Sequence, residues 1–444
     1  MKSKVALCIP TYERYEVIKE FLTKCSSYYF KEGIDVYYYD SSESDDTERL
    51  INEWPEKEHL YYLRFPAKLG GDEKTCLIYQ CYGLKKDYDF VWLSNDSLQI
   101  QPDSLHILMT NLLPEYDMVN ITPQKQDYDH NGLRVFTNPE DYLWTCLYNV
   151  GRYGNVIVNK KTMLDGIDWD KYKYLFYDYN VQAFGNEIFY FIRLSELEKM
   201  RALFIPFFGS ELRDSMLKKA SNWRNDMFRI CCESWVNAVN CLPDSFHNKR
   251  EIALKFISTM YLHDFRDFRK YREEGIFDYK IYKKYEVYWN QVTTTPKWII
   301  RLISLMPRKR ASLLTKILVS YRKARFNRFL NSRPRIIIYG TSAGGFRYGK
   351  YLDEHNIPYD GFCCSKRADD ENIYCGHPVY EFDELAEDLN NIGFVIAMQD
   401  ENYERVKPQL VRLRCKFFRD GLFEGDFAFD MGYRSASWYI GKIR

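Results

Sequence analysis

The chain has 444 residues, 46% of them hydrophobic, enough to bury more than one core and to suggest about two or three domains. Its 63 Lys and Arg against 62 Asp and Glu leave a net charge of +1, which argues against a nucleic-acid partner held by bulk electrostatics. Twelve cysteines are scattered, with Cys231–Cys232 and Cys363–Cys364 adjacent and no CxxC spacing for zinc or a redox dithiol, so reduced thiols in a cytosol are expected.

The apolar run before Pro10 is too short for a signal peptide, and no stretch approaches the roughly 18 apolar residues of a membrane span. From there, strand-like runs alternate with helical ones. "KVALCIP" precedes a helix from about Glu13, "IDVYYYD" one from about Asp45, and "LYYLRF" one from about Asp72; "DFVWLSND" follows. Repeated strand and helix predicts a parallel sheet covered by helices, whose ligands bind beyond the carboxyl ends of the strands. The polar residues that follow the strands are therefore expected on one rim: Thr11 and Glu13, Asp40 and Ser41, Lys68 with Gly70 and Gly71, and Asp96. Loops begin with polar residues in any case, so position alone accounts for part of this set.

The pattern is irregular from about 120 to 210, and helical spacing dominates from about 211 to 290, clearest in "FRICCESWVNAV" and "REIALKFISTMYL". Residues 296–330 hold ten Lys or Arg and no acid, leaving 53 basic against 62 acidic residues elsewhere. Trp298, Ile299, Ile300, Leu302, Ile303 and Leu305 lie among those cations, the composition of a helix on an anionic membrane surface; a basic linker helix packed on its own protein is the other reading. Pro307 is expected to divide the stretch. After "NSRP" a new strand–helix pair begins with "RIIIYGTSAGGFRYGKYL", where Gly340, Ser342 and Gly345 occupy the positions of a dinucleotide fingerprint without its middle glycine. No acid stands at the end of the next strand to hold a ribose, so bound NAD is not expected.

"VALCIPTYER", "IDVYYYDSSESDDTERLI", the Gly70–Gly71 pair and "FVWLSNDSLQIQPDSL" together resemble the family 2 glycosyltransferases of GT-A fold, over about residues 3–210. The resemblance implies that Thr11, Tyr12 and Glu13 hold the nucleotide base or ribose, and that Asp40 matches the first acid of the family's second-strand motif, with Ser41 in place of the second. It implies that "SND" stands for Asp-x-Asp or its relative ending in "NND". Asn95 and Asp96 then face the donor, Asp96 being the ligand of Mg²⁺ or Mn²⁺. In "FGNEIFYFIRL", Glu187 falls where the family has the base near the acceptor hydroxyl, with Asp178 as a second candidate. The C-terminal part resembles the small domain at the front of sugar acetyltransferases.

The expected organisation is a GT-A α/β domain with a mainly parallel sheet over 1–210, a helical segment over 211–330, and a smaller Rossmann-like α/β domain over 331–444. The implied reaction moves a sugar from a nucleotide-diphosphate donor, UDP-linked by expectation, to a saccharide or polyprenyl-linked acceptor in surface polysaccharide synthesis, with inversion. The implied place is the cytoplasm at the inner face of the cell membrane; no nucleic acid is expected, and self-association into a homo-oligomer is left open. A sugar nucleotidyltransferase would need a glycine- and arginine-bearing loop after the first strand, and "PTYERYE" has no glycine. A scaffold with a decayed sugar site is the remaining alternative, suggested by Ser94 where a strict Asp-x-Asp has an acid.

Overall fold

The computed structural model describes residues 3–67, 69–96, 98–121, 133–150, 153–205, 210–212, 226–262, 264–341, 343–365, 372–398 and 400–419. The chain divides into two compact units that interleave along the sequence. One is built from residues up to Ser258 together with Lys283–Thr294, the other from Thr259–Tyr282 and the chain from Thr295 onward. The helices expected over 211–330 are thus shared between the units.

In the first unit the strands are β1 (Val5–Thr11), β2 (Ile34–Asp40), β3 (Leu60–Arg64), β4 (Phe90–Leu93), β5 (Leu98–Ile100), β6 (Met118–Ile121), β7 (Arg134–Phe136), β8 (Val156–Asn159), β9 (Ala202–Ile205) and β10 (Ser210–Leu212). Eight form one sheet in the order β3-β2-β1-β4-β8-β6-β9-β7, and β5 pairs with β10 in a two-stranded ribbon. The strands β3, β2, β1 and β4 are mutually parallel, β8 runs against β4 and β6, and β6 and β9 are parallel. This is the α/β class with a mainly parallel sheet that the alternating pattern predicts.

Helices α1 (Tyr15–Lys31), α2 (Asp46–Glu53), α3 (Gly71–Tyr79), α4 (Pro102–Asn111), α5 (Pro139–Val150), α6 (Lys173–Tyr177) and α7 (Gly185–Glu196) connect the strands of this unit. Val17, Ile18, Phe21, Leu22, Cys25 and Tyr29 recur at helical spacing on α1 and enter the core. All seven residues of β2 are buried, as in a strand covered on both faces. Three are tyrosines with little or no exposure. The Tyr37 hydroxyl lies 2.8 Å from that of Tyr88, and Tyr39 donates to the Tyr82 carbonyl at 3.0 Å. Tyr37 and Tyr39 thus bury an aromatic ring while their polar tips stay satisfied, one packing use for a chain with 38 tyrosines.

The second unit carries β11 (Arg335–Tyr339), β12 (Gly361–Cys364), β13 (Ile373–Tyr374), β14 (His377–Glu381), β15 (Ile392–Ile396) and β16 (Lys416–Phe418), in the order β13-β14-β12-β11-β15-β16. All are parallel except β13, so the parallel strands follow the 3-2-1-4-5 order of a Rossmann-like sheet. Gly340 has φ +124°, and a Cβ on Gly345 would lie 1.9 Å from the Gly340 carbonyl oxygen, so the helix Ala343–Glu354 closes tightly on the strand ends. Ser342 lies outside the described residues. Pro307 separates the helices Lys297–Leu305 and Arg308–Leu330, as its fixed φ and missing N–H require. Phe326 and Leu330 of the longer helix belong to the core beneath this sheet.

Candidate active site

The rim begins where β1 and β2 end together, with Thr11 in register with Asp40. Asp40 is fully buried, and its carboxylate accepts from the Tyr62 hydroxyl at 3.0 Å, from the Ser42 N–H at 2.9 Å and from the Ser42 hydroxyl. Ser42 in turn accepts from the Glu13 N–H at 2.7 Å, while the Glu13 carboxylate accepts from the Glu43 N–H at 2.8 Å. Glu13 takes φ +52°, a left-handed conformation uncommon away from glycine and held here by both bonds. Asp40 therefore organises the loops after β1 and β2 rather than facing solvent. Between residues 13–17 and 44–47 these loops leave a cleft of about 190 Å³. Tyr12 is exposed beside it, and the buried Ser41 donates its N–H to the Thr11 carbonyl at 3.2 Å.

Asp96 follows β4 and is brought to the same rim. Its Oδ2 lies 3.5 Å from the Thr11 hydroxyl and 3.5 Å from Arg14 Nε. Neighbouring Asn95 donates to the Tyr153 carbonyl at 3.1 Å. Lys74, on α3, is buried and donates to the Thr11 carbonyl at 2.6 Å. Burial pushes its amine down to about 8, against the opposing pull of Asp40 and Asp96. Gly70 donates its N–H to Glu73 at 2.8 Å and opens α3, and the Cβ direction of Gly71 faces open space. Lys68 lies outside the described residues.

A second group lies on the other side of α3. Glu187 is the third residue of α7 and is 6% exposed; its Oε2 and the Asn186 Oδ1 are enclosed without a hydrogen-bond partner among the described residues. Burial pushes the Glu187 carboxyl up to about 8, with the charge of Asp72 adding to the shift. Asp72, in the first turn of α3, is pushed up to about 6 by burial, against the Ala183 N–H bond that favours its charge. Ala183 takes φ +86°, a strained conformation for alanine. Tyr153 shares a 3.1 Å hydrogen bond with Thr75, and its phenol is raised by burial and by the charges of Asp72 and Glu187. Asp178 stands apart from this group: it is exposed and accepts the Asn180 N–H at 2.9 Å in a local turn.

The sequence reading missed Arg14, Ser42, Lys74, Asp72 and Tyr153. Lys74 and Asp72 follow the Gly70–Gly71 pair directly, and that placement is the signal that could have found them. Among the described residues no group of three or more His, Cys, Asp or Glu gathers to hold a metal ion. Asp96, whose Oδ2 lies 3.5 Å from both Arg14 Nε and the Thr11 hydroxyl, would be the carboxylate at this rim to hold a Mg²⁺ or Mn²⁺ that takes its other ligands from phosphate and water.

No protein-family model matches the chain. It is 28% identical over 188 residues to the abequosyltransferase RfbV of Salmonella typhimurium, a match taking in 37% of this chain and 55% of that protein. The chain thus spans about half the length of the curated relative it matches. Similar solved structures include TarS 1–349 of S. aureus in complex with UDP-GlcNAc, at 13% identity and a TM-score of 0.41, covering 57% of this chain and 72% of that one. The mannosyltransferase PcManGT of Pyrobaculum calidifontis, in complex with GDP-Man and Mn²⁺, aligns at 15% identity and a TM-score of 0.39, covering 59% and 73%.

Proposed function

We propose that the first unit is a glycosyltransferase that moves a sugar from a nucleotide-diphosphate donor, UDP-linked in the first instance, to a saccharide or lipid-linked saccharide, with inversion. The observation that carries this reading is the convergence of Thr11, Arg14, Lys74 and Asp96 beyond the ends of parallel strands, beside the cleft between the first two loops. Two cations and a carboxylate at such a rim suit a diphosphate, and a cleft next to it suits a base and ribose. The likeness to an abequosyltransferase supports the same class.

In this reading Tyr12, Glu13 and the loop that Asp40 and Ser41 shape bind the nucleoside, and Asn95 with the Gly70–Gly71 turn lies along the sugar diphosphate. Arg14 and Lys74 bring positive charge to the diphosphate as it leaves. A divalent cation held by Asp96 would add charge neutralisation to the diphosphate when bound. The acceptor hydroxyl meets its base near the start of α7, where Glu187 lies, with the exposed Asp178 as the second candidate.

The second unit supplies a place on a membrane. On the helix Lys297–Leu305, Ile300 and Ile303 are buried, while Trp298, Leu302 and Leu305 are 64%, 57% and 54% exposed along one face. Arg301 on the same helix and Lys309 and Arg310 just beyond it are exposed as well. An apolar stripe edged by cations fits the interface of an anionic bilayer and would bring a lipid-linked acceptor near the enzyme. Among the described residues no helix is long and apolar enough to cross a membrane.

Incubating the protein with a panel of UDP-, GDP- and dTDP-sugars, a divalent cation and a membrane extract, and measuring nucleoside diphosphate release, tests the reaction. Release with one donor and incorporation of its sugar into lipid or saccharide is expected. No release from any donor would leave the decayed-scaffold alternative standing.

A further inference from the structure

Helix α3 separates two functional groups of side chains. Lys74 leaves it toward the ends of β1 and β4, where it meets the Thr11 carbonyl. Asp72, two residues earlier, leaves on another side and takes the Ala183 N–H just before α7. One rigid element therefore carries a cation to the Thr11 carbonyl and a carboxylate to the Ala183 N–H before α7. The two carboxyls near the start of α7 are not equivalent. Glu187 is nearly closed to solvent, with one oxygen sealed and unpartnered, whereas Asp72 is partly exposed beside the glycines that open the helix.

We propose that Asp72, the partly exposed carboxylate at the start of α3, takes the proton from the acceptor hydroxyl, and that the enclosed Glu187 does not. The proposal rests on the glycosyl-transfer reading above. The acceptor oxygen forms a bond to the anomeric carbon, the bond from that carbon to the diphosphate oxygen breaks with its electron pair leaving on the diphosphate, and the hydroxyl proton passes to Asp72. A general base has to be open to the acceptor and able to ionise. Glu187 is enclosed, whereas Asp72 is partly exposed, and burial raises the Glu187 carboxyl further than that of Asp72.

The surroundings agree from each packed element. Glu187 is raised by burial, against the bond from its own N–H that favours its charge, and further by Asp72 from α3; the other groups facing it are the phenols of Tyr79 of α3, Tyr190 of its own helix and Tyr153. Asp72 feels Glu73 on its own helix, Arg229, and the Ala183 N–H; Arg229 and the N–H favour its charged form. Two interacting carboxyls with one favoured as anion hold one proton between them over the range that separates about 6 from about 8.

The test compares wild type, Asp72→Asn, Asp72→Ala and Glu187→Gln, using the nucleotide sugar that wild type turns over, with kcat followed against pH and nucleoside diphosphate binding measured by calorimetry. Asp72→Asn should lose at least a hundredfold in kcat while binding the nucleoside diphosphate within threefold of wild type. Asp72→Ala should recover part of its loss on addition of formate. Glu187→Gln should lose less than tenfold and abolish the alkaline fall in kcat near pH 8 while keeping the acid limb near pH 6. A hundredfold loss in Glu187→Gln, or an Asp72→Asn that keeps more than a tenth of kcat, overturns the assignment. If wild type releases no nucleotide from any donor, the function reading fails by itself. The proton division is then read from carboxyl-carbon NMR shifts of the free protein, where titration of Glu187 below Asp72 overturns it.

Discussion

Glu187 and Lys74 give the folded state pH dependences of opposite sign. The Glu187 carboxyl moves from an ordinary value of 4.5 to about 8 on folding, so between those values the folded state binds more protons than the unfolded chain and stability falls as pH rises. Asp72 contributes in the same sense, but only from 3.8 to about 6. Lys74 is lowered from 10.5 to about 8; there the unfolded chain binds more protons, and stability rises with pH above 8. The window from pH 6 to 8 therefore isolates Glu187. Urea unfolding of Glu187→Gln should show a flatter decline across it than wild type, and an equal slope would mean that Glu187 is ionised in the folded protein. At the rim beyond β1 and β4, if the proposed transfer is right, Asp96→Asn should keep the unfolding midpoint and lower glycosyl transfer by at least about a hundredfold, the scale of losing a group aimed at developing charge. Lys74→Met should weaken nucleoside diphosphate binding by tenfold or more in calorimetry. That Thr11 and Asp96 stand where β1 and β4 end was legible because strand ends are marked in the sequence by the break from apolar to polar residues. Lys74 and Asp72 were not, because charged residues in a helix's first turn look solvent-facing, and the groups that hold them, the Thr11 carbonyl and the Ala183 N–H, arrive from distant chain segments.

Among the elements, α7 is set by one glycine. A Cβ on Gly185 would lie 1.7 Å from the backbone oxygen of Leu175, so the first turn of α7 touches the main chain of α6. Gly185→Ala should cost at least about 2 kcal/mol in chemical unfolding, since backbone cannot yield as a side chain can. The same change should displace Glu187, lowering transfer in the molecules that remain folded. The helix Lys297–Leu305 makes a different prediction. Trp298→Ser combined with Leu302→Ser should leave the unfolding midpoint nearly unchanged and should abolish sedimentation with vesicles rich in phosphatidylglycerol at low salt. Wild type should bind those vesicles, ignore phosphatidylcholine, and be released as salt rises. Wild type that binds neither kind, or a double variant that still binds, would remove the stripe from any membrane role. The split at Pro307 and the basic character of the stretch could be read from the sequence. Which face of the helix is packed could not, because Ile300 and Ile303 are chosen for burial by neighbours in the second unit rather than by their own spacing.

At the scale of the whole molecule, the order of strands and helices to about residue 100 and the Rossmann-like run after 331 were legible from periodicity, because each is a continuous series of strand–helix pairs. The partition was not. It depends on short helical segments returning to cores laid down elsewhere in the chain, and nothing in their composition names the core they join. Phe326 and Leu330 illustrate this, since they precede the strand–helix run yet lie in its core. A fragment starting at residue 331 should accordingly be poorly soluble and lack a cooperative thermal transition. Extending it back to Thr295 should improve its solubility, by restoring those two side chains.

Trp289 and Val292, both without exposure, return to the first unit after the chain has contributed residues to the second, and Trp289 packs its ring 6.0 Å from that of Phe228. On a ribosome, therefore, the first unit cannot close its core when its main run ends at Ser258. It must wait until residues 283–294 have emerged, by which time Thr259–Tyr282 are already outside and still await the rest of the second unit. The two units then mature with overlapping timing rather than strictly one after the other, and the unfinished first unit holds an apolar opening around Phe228 that chaperones can recognise during synthesis.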